Sequence, residues 1–139
     1  MGNRAVITTK DKKIGIYLHW NGGRDSVEAF LKYCELKGFR CPEEDNYGWA
    51  CMCQIIANYF GDGFCIGIDT FESLESTADY DNGVYIIEDW KIVGRERFKG
   101  QEQDNYKLKE MVKCINKRQP IPVRLSPNYI DRMLDNGVR

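Results

Sequence analysis

The stretch CPEEDNYGWACMCQ (41–54) carries three of the chain's six cysteines and three consecutive acids. Thiolates beside carboxylates are metal-ligand chemistry, and zinc takes four N, S or O ligands at about 2.0–2.3 Å. The six cysteines, at 34, 41, 51, 53, 65 and 114, form no CxxC pair, so the zinc-ribbon spacing is absent. A clasp would have to be assembled by folding. Its candidates are Cys41 and Cys51, joined by one or two of Cys34, Cys53, His19 or a nearby carboxylate. The plainer alternative treats Cys34, Cys53, Cys65 and Cys114 as small buried hydrophobes. A Cys41–Cys51 disulfide is a third option, although thiols in a cytosol are expected to stay reduced.

The single histidine, His19, sits in YLHWNGGRD beside a glycine-rich turn. A thiol from Cys34 or Cys53, the His19 imidazole and the Asp25 carboxylate are the parts of a nucleophilic constellation. The turn from His19 to Asp25 is equally a candidate pocket for a small ligand. NGGRD matches neither GxxxxGK[ST] nor GxGxxG, so no phosphate loop is indicated. Nothing around these residues matches a protease or transferase signature, and the expectation is a protein without catalytic activity.

Charge is distributed unevenly. The net charge is −1, yet no Lys or Arg occurs from Cys41 to Trp90, a span holding 11 acids: Glu43, Glu44, Asp45, Asp62, Asp69, Glu72, Glu75, Asp79, Asp81, Glu88 and Asp89. All 20 bases lie in the flanks. The expectation is a coherent acidic face, formed by Glu43, Glu44, Asp45, Asp69, Glu72, Glu75, Asp79 and Asp81, that meets a cationic partner. Phe71 and Tyr80 are its candidate aromatic anchors, and opposed potentials of this kind speed encounter. The alternative is that the charges mix once the chain folds. The bases from 91 to 124 alternate with acids, which reads as solvated helix surface and not as a stripe tracking phosphates.

Several elements must position these groups. RAVITT (4–9) and KIGIYLHW (13–20) are β-branched or aromatic-rich around a KDK turn and predict a hairpin. Asp25 as N-cap with Glu28 three residues on predicts a capping box for a helix along Val27, Phe30, Leu31 and Cys34, stopped at Gly38. Asp45 or Asn46 starts a second helix to about Phe60, with Trp49, Met52, Cys53, Ile56 and Phe60 on its apolar stripe. Residues two apart on a helix point about 200° apart, so Cys51 falls on another face, near Tyr47 and Gln54. A strand at 64–69 and a polar loop or short helix at 70–82 follow. Strands at 83–89 and 90–98 form one bent element or a tight pair. Asp104 is a candidate cap for a helix at 105–118. Ser126-Pro127 predicts a last helix, ending near Gly137. The order implies a single α+β domain over 1–139, an antiparallel sheet of four to five strands with helices on one face. No run approaches the ~20 apolar residues of a membrane span. No apolar leader opens the chain, so a cytoplasmic location is expected.

The strings MGNRAVITT, IGIYLHWNGGRDSVEAFLKYCELKGFR and DNYGWACMCQIIANYFG resemble small proteins carried by phages and mobile elements of Firmicutes, over roughly residues 1–90. Anti-CRISPR inhibitors of Cas9 are found among such proteins. The resemblance implies a non-enzymatic inhibitor in a bacterial host, with Cas9 as partner and target DNA loading as the blocked step. One kind of such inhibitor contains zinc, although the resemblance assigns no ligands; the expected ligands from the residues themselves are Cys34, Cys41, Cys51 and Cys53, with the metal stiffening the corner between the first two helices. Cas9 encloses its heteroduplex in a positively charged channel, which an acidic surface would suit. Such binding would weaken as salt rises.

Overall fold

A computed structural model describes residues 2–61 and 65–135. Strand β1 (Ala5–Thr9) is flanked by β2 (Ile14–Leu18), with β3 (Ile66–Thr70) beyond it. On its other side lie β4 (Val84–Glu88) and then β5 (Lys91–Glu96), so the order is β3-β2-β1-β4-β5. Successive strand residues point to opposite faces. Ala5, Ile7, Ile16, Leu18, Tyr85 and Ile87 therefore face one layer, and Val6, Val84 and Ile86 the other.

The sheet is mixed, where the sequence predicted it antiparallel. β1 and β4 run parallel, and the other three pairings are antiparallel. The chain leaves edge strand β3 and crosses the sheet through residues 71–83 before entering beside β1, which is the kind of crossover that parallel neighbours require. The α+β class stands.

Helices α1 (Arg24–Leu36) and α2 (Asn46–Phe60) cover the first face. The short α3 (Phe71–Leu74) is followed by α4 (Leu108–Lys117) and α5 (Pro127–Asp135). On the main face Phe30, Met52, Ile56, Met111 and Ile115 are fully buried against the strands. Each such side chain contributes roughly 1.5–3 kcal/mol of burial. On the far face α3 and the turn after it set Phe71 and Ala78 on Val6 and Val84. Segment 70–82 is thus a lid over the sheet and not a free loop.

Cap chemistry is partly as expected. Asp45 caps α2, its carboxylate accepting from Tyr47 N at 2.6 Å. Asp25 does not cap α1. The helix starts at Arg24 after Gly23 with no side-chain cap. Asp25 instead accepts from the amides of Asn105 and Tyr106 at 2.7 and 3.0 Å, pinning a distant loop. Glu28, expected to close the capping box, pairs with Arg24 at 2.6 Å. α4 begins at Leu108, three residues later than Asp104 would start it, with Lys107 as a cap that makes no side-chain bond. Ser126 Oγ accepts from Tyr129 N at the start of α5. The Gly137 stop and the first residue of the strand predicted at 64–69 lie outside the described residues.

β4 and β5 form a tight hairpin turning on Asp89 and Trp90, both with positive φ, 53° and 58°. Two-residue hairpins of this twist favour Asn-Gly, and the left-handed region costs a residue with a side chain roughly 1–2 kcal/mol. Anchoring offsets that cost. Trp90 is buried and its Nε1 donates to Phe39 O at 2.8 Å, while Asp89 N donates to Glu43 at 2.8 Å.

Candidate functional site

The cysteine-rich corner is built where α1 hands the chain to α2. Cys41 O accepts from the amides of Glu44 and Asp45, at 2.9 and 3.3 Å, turning the chain into α2. Gly48, in the first turn of α2, lies directly against the backbone of Arg40, Cys41 and Pro42. Cys34 and Cys41 are buried, and Cys51 and Cys53 are half-buried. Cys51 lies on α2 between the buried Gly48 and Ile55.

The four thiols are neighbours without forming a chelating set. Among the described residues no group of three His, Cys, Asp or Glu side chains is arranged to hold a metal ion. All six cysteines are free thiols, so the Cys41–Cys51 disulfide is not formed. The acids of the motif act on the corner itself. Glu43 holds the β4–β5 turn, Glu44 accepts from Cys41 N at 3.3 Å, and the Cys41 thiol donates to Asp89 at 3.8 Å. Burial first, then Glu43, Asp89 and Glu44, push the Cys41 thiol from about 9 up to about 12.

The remaining nominated carboxylates do not join these in one face. Asp81 pairs with Arg4 at 2.9 Å, with the Arg4 guanidinium over the Tyr80 ring at 4.1 Å. Glu75 and Asp79 share Arg97, at 3.0 and 3.7 Å, and Asp45 pairs with Arg40 at 3.1 Å. Glu43 attaches to the turn after β4, whereas Asp81 precedes the start of β4. A five-residue strand separates them, roughly 16 Å. Charges segregated along the chain mix in space because β1 lies at the centre of the sheet and β5 beside β4, carrying Arg4 and Arg97 into the acidic third. Phe71 is buried beneath the lid and is no surface anchor, while Tyr80 is half-exposed. Asp62 lies outside the described residues.

Glu44, exposed and held only by the nearby Cys41 amide among the described residues, stands differently, and so do two further nominated acids. Asp69 and Glu72 are exposed and make no ion pair among the described residues. They lie at the end of edge strand β3, where Ile68 is 55% and Ile14 38% exposed. Ile68 pairs with Ile16 and Ile14 with Thr70, so the two isoleucines share a face.

The His19 turn assembles no nucleophilic triad. His19 Nδ1 shares a hydrogen bond of 2.7 Å with Tyr17 OH, and its ring packs edge-on to Trp20 at 5.3 Å. Asp25 uses its oxygens on backbone amides, as above. Beside it an open groove of about 580 Å³ runs along α1, lined by Arg24, Glu28, Glu102, Tyr106 and Lys109. Several of its charges are already paired: Arg24 with Glu28 and Glu102, and Lys109 with Asp135.

Sequence reasoning passed over Ile121-Pro122-Val123, an apolar triplet between α4 and α5. Its one visible signal was an apolar run in a link between helices, where polar residues are usual.

The buried acids of the main layer set an alkaline limit. Burial raises Cys34 well above the usual thiol value and raises Tyr33 and Tyr85 above the usual phenol value. Each is neutral when protonated, so the unfolded chain loses these protons first. Their stabilising contribution is complete below the unfolded pKa and is lost as pH climbs through the folded one. For Cys41 that window is about 9 to about 12. The melting temperature is expected to hold between pH ~7 and ~8 and to fall above pH ~9. Cys41→Ser should flatten part of that slope. A wild-type profile level to pH ~11 would contradict the assignment.

No helix of the described residues is long and apolar enough to cross a membrane. No protein-family model, curated protein or solved structure matches the chain.

Proposed function

We propose that the chain is a non-enzymatic binding protein that docks a cationic partner at the β3 edge. By the resemblance of residues 1–90 that partner is Cas9, held off its target DNA. The observation that carries the reading is the edge strand β3, which leaves Ile14 and Ile68 exposed on one face of the sheet and Asp69, opposite Gly15, exposed on the other, with Glu72 just beyond it; neither acid makes an ion pair among the described residues. A segment laid along this edge meets the isoleucines on one face and the carboxylates on the other. β3 also offers an unpaired strand edge, to which an extended segment can add. Acids already bound to Arg4, Arg40 and Arg97 contribute less, since a partner must first displace an internal base.

The test compares binding of wild-type protein, the double charge reversal Asp69→Lys with Glu72→Lys, and Asp79→Lys to purified Cas9 with guide RNA at low and moderate salt. The double reversal is expected to weaken binding about tenfold or more, roughly 1.4 kcal/mol, without moving the melting temperature. Asp79→Lys should have a smaller effect. Absence of Cas9 binding by wild-type protein at low salt removes Cas9 as the partner. Full binding by the double reversal removes the surface.

A further inference from the structure

A second surface carries the opposite charge. After α4 ends, Pro120 leads into a 3-10 turn, Ile121–Val123. Ile121 is 75% and Val123 50% exposed. Isolated apolar side chains on a surface need no explanation, but two on one tight turn, held rigidly outward, are different. Arg124 donates through Nε to Gln119 O and through Nη2 to Lys117 O, both at 2.8 Å, closing the turn from beneath. Lys37, at the end of α1, donates its Nζ to Val123 O. Asn116, buried, ties the following residue by two bonds to the Leu125 backbone, each 2.8 Å. The turn is therefore displayed in one conformation before anything binds, so little ordering entropy is left to lose on docking.

The collar around it is basic. Lys117 and Arg118 precede the turn in the chain, Arg124 follows it and Lys37 reaches it through Val123 O, and none of the four makes an ion pair among the described residues. Elsewhere the same kind of side chain is regularly neutralised, as Arg4, Arg40 and Arg97 are. We propose that the Ile121–Val123 turn and its collar of Lys37, Lys117, Arg118 and Arg124 dock an acidic peptide segment of a partner protein, with an apolar side chain of that segment on the turn and its carboxylates on the collar.

Charge complementarity selects the acid, and the apolar tip selects a peptide over a nucleic acid. The Arg124 fork is bound to carbonyls, and the Arg118 guanidinium donates to Tyr59 O at 3.0 Å while lying over the Tyr59 ring at 5.4 Å. Both act as fixed positive charges, not as open forks for phosphate. A phosphate backbone offers nothing for Ile121 and Val123 to meet, and base stacking needs an aromatic platform where this turn presents aliphatic side chains. A membrane surface would gain only two aliphatic side chains. This site is independent of the β3 edge and of the partner there, since it has the opposite charge.

The experiment measures anisotropy of a fluorescein-labelled peptide alternating leucines with pairs of glutamates, titrated with the full chain at low salt. The comparison probes are the same peptide with serine for leucine, an oligo-dT strand, and phosphatidylserine vesicles. The leucine peptide is expected to bind, to weaken on adding salt, and to lose about tenfold in affinity with Ile121→Ser and again with Lys117→Glu. Neither substituted side chain makes a bond that holds the turn, and circular dichroism checks that both variants fold. Equal binding of the serine peptide, tighter binding of oligo-dT or vesicles, unchanged affinity in Ile121→Ser, or no binding of the leucine peptide at low salt would each overturn the proposal.

Discussion

Gly48→Ala is expected to destabilise the protein by about 3 kcal/mol or more, although alanine is the better helix former. Gly48 lies inside α2, where the exchange alone would gain up to about 1 kcal/mol of helix propensity. A Cβ there meets Arg40 O at 2.5 Å, the Cys41 carbonyl carbon at 2.5 Å and Pro42 N at 2.6 Å. All three are backbone atoms of a turn fastened by Glu44 and Asp45, so none can give way as the tip of a flexible side chain would. Relief requires α2 to lift from the corner, loosening the burial of Cys34 and Cys41 and the clamp of Glu43 on the β4–β5 turn. Gly38→Ala is the control. Gly38 has φ +78° and nothing within 4 Å of its added Cβ, so it should lose only the conformational term, about 1 kcal/mol. Urea unfolding of the two variants decides the matter. If Gly48→Ala costs no more than Gly38→Ala, the corner is softer than its packing indicates. If Gly48→Ala also makes Cys34 reactive to a thiol reagent at neutral pH, the lifting of α2 is seen directly.

The local terms of this fold were readable in advance, and the long-range ones were not. The β-branched and aromatic residues at 5–9 and 14–18 mark β1 and β2, and KDK between them marks the turn. Asp45 reads correctly as a cap because its partner, Tyr47 N, is two residues away. Asp25 reads wrongly because its partners are the amides of residues 105 and 106, which no local pattern announces. The parallel pairing of β1 with β4 was hidden because its crossover, 71–83, looks like an acidic loop, and only Phe71 and Ala78 betray that it covers a face. The acidic face failed for a related reason. Arg4 meets Asp81 and Arg97 meets Glu75 because the sheet order brings their strands' ends together, and sheet order is not written in the charge sequence. Asp69 and Glu44 differ in that their recorded partners are local, the amides of Thr70 and Cys41. The basic turn escaped notice because its exposure depends on Asn116 and Arg124 bonds to backbone carbonyls, which leave no periodic trace.

Asn116→Ala should cost about 3 kcal/mol or more, and its largest visible effect should fall on the turn it supports and not on α4, where it resides. Asn116 Oδ1 accepts from Tyr33 OH at 2.6 Å and from Leu125 N at 2.8 Å, while Nδ2 donates to Leu125 O at 2.8 Å. Tyr33 is fully buried and Asn116 nearly so, so truncation strands the Tyr33 hydroxyl away from water and leaves the half-buried Leu125 N–H and C=O without partners. Each stranded group costs about 1–3 kcal/mol, whereas a bond merely exchanged with water costs about 1. Tyr33→Phe is the discriminating companion. It removes one donor and leaves Asn116 still bound to Leu125, so it should cost only about 1 kcal/mol. The two changes share a bond and are expected to be non-additive in a double-mutant cycle. Because Asn116 joins α1, through Tyr33, to the segment that follows Val123, its loss frees residues 120–125 to move independently. Limited trypsin digestion should then cut after Arg124 much sooner than in wild-type protein, with the helices intact by circular dichroism. Peptide affinity at the basic turn should fall although no collar charge has changed. If Asn116→Ala is destabilised by less than Tyr33→Phe, water has replaced the amide without penalty. The turn would then owe its rigidity to Arg124 and Lys37 alone.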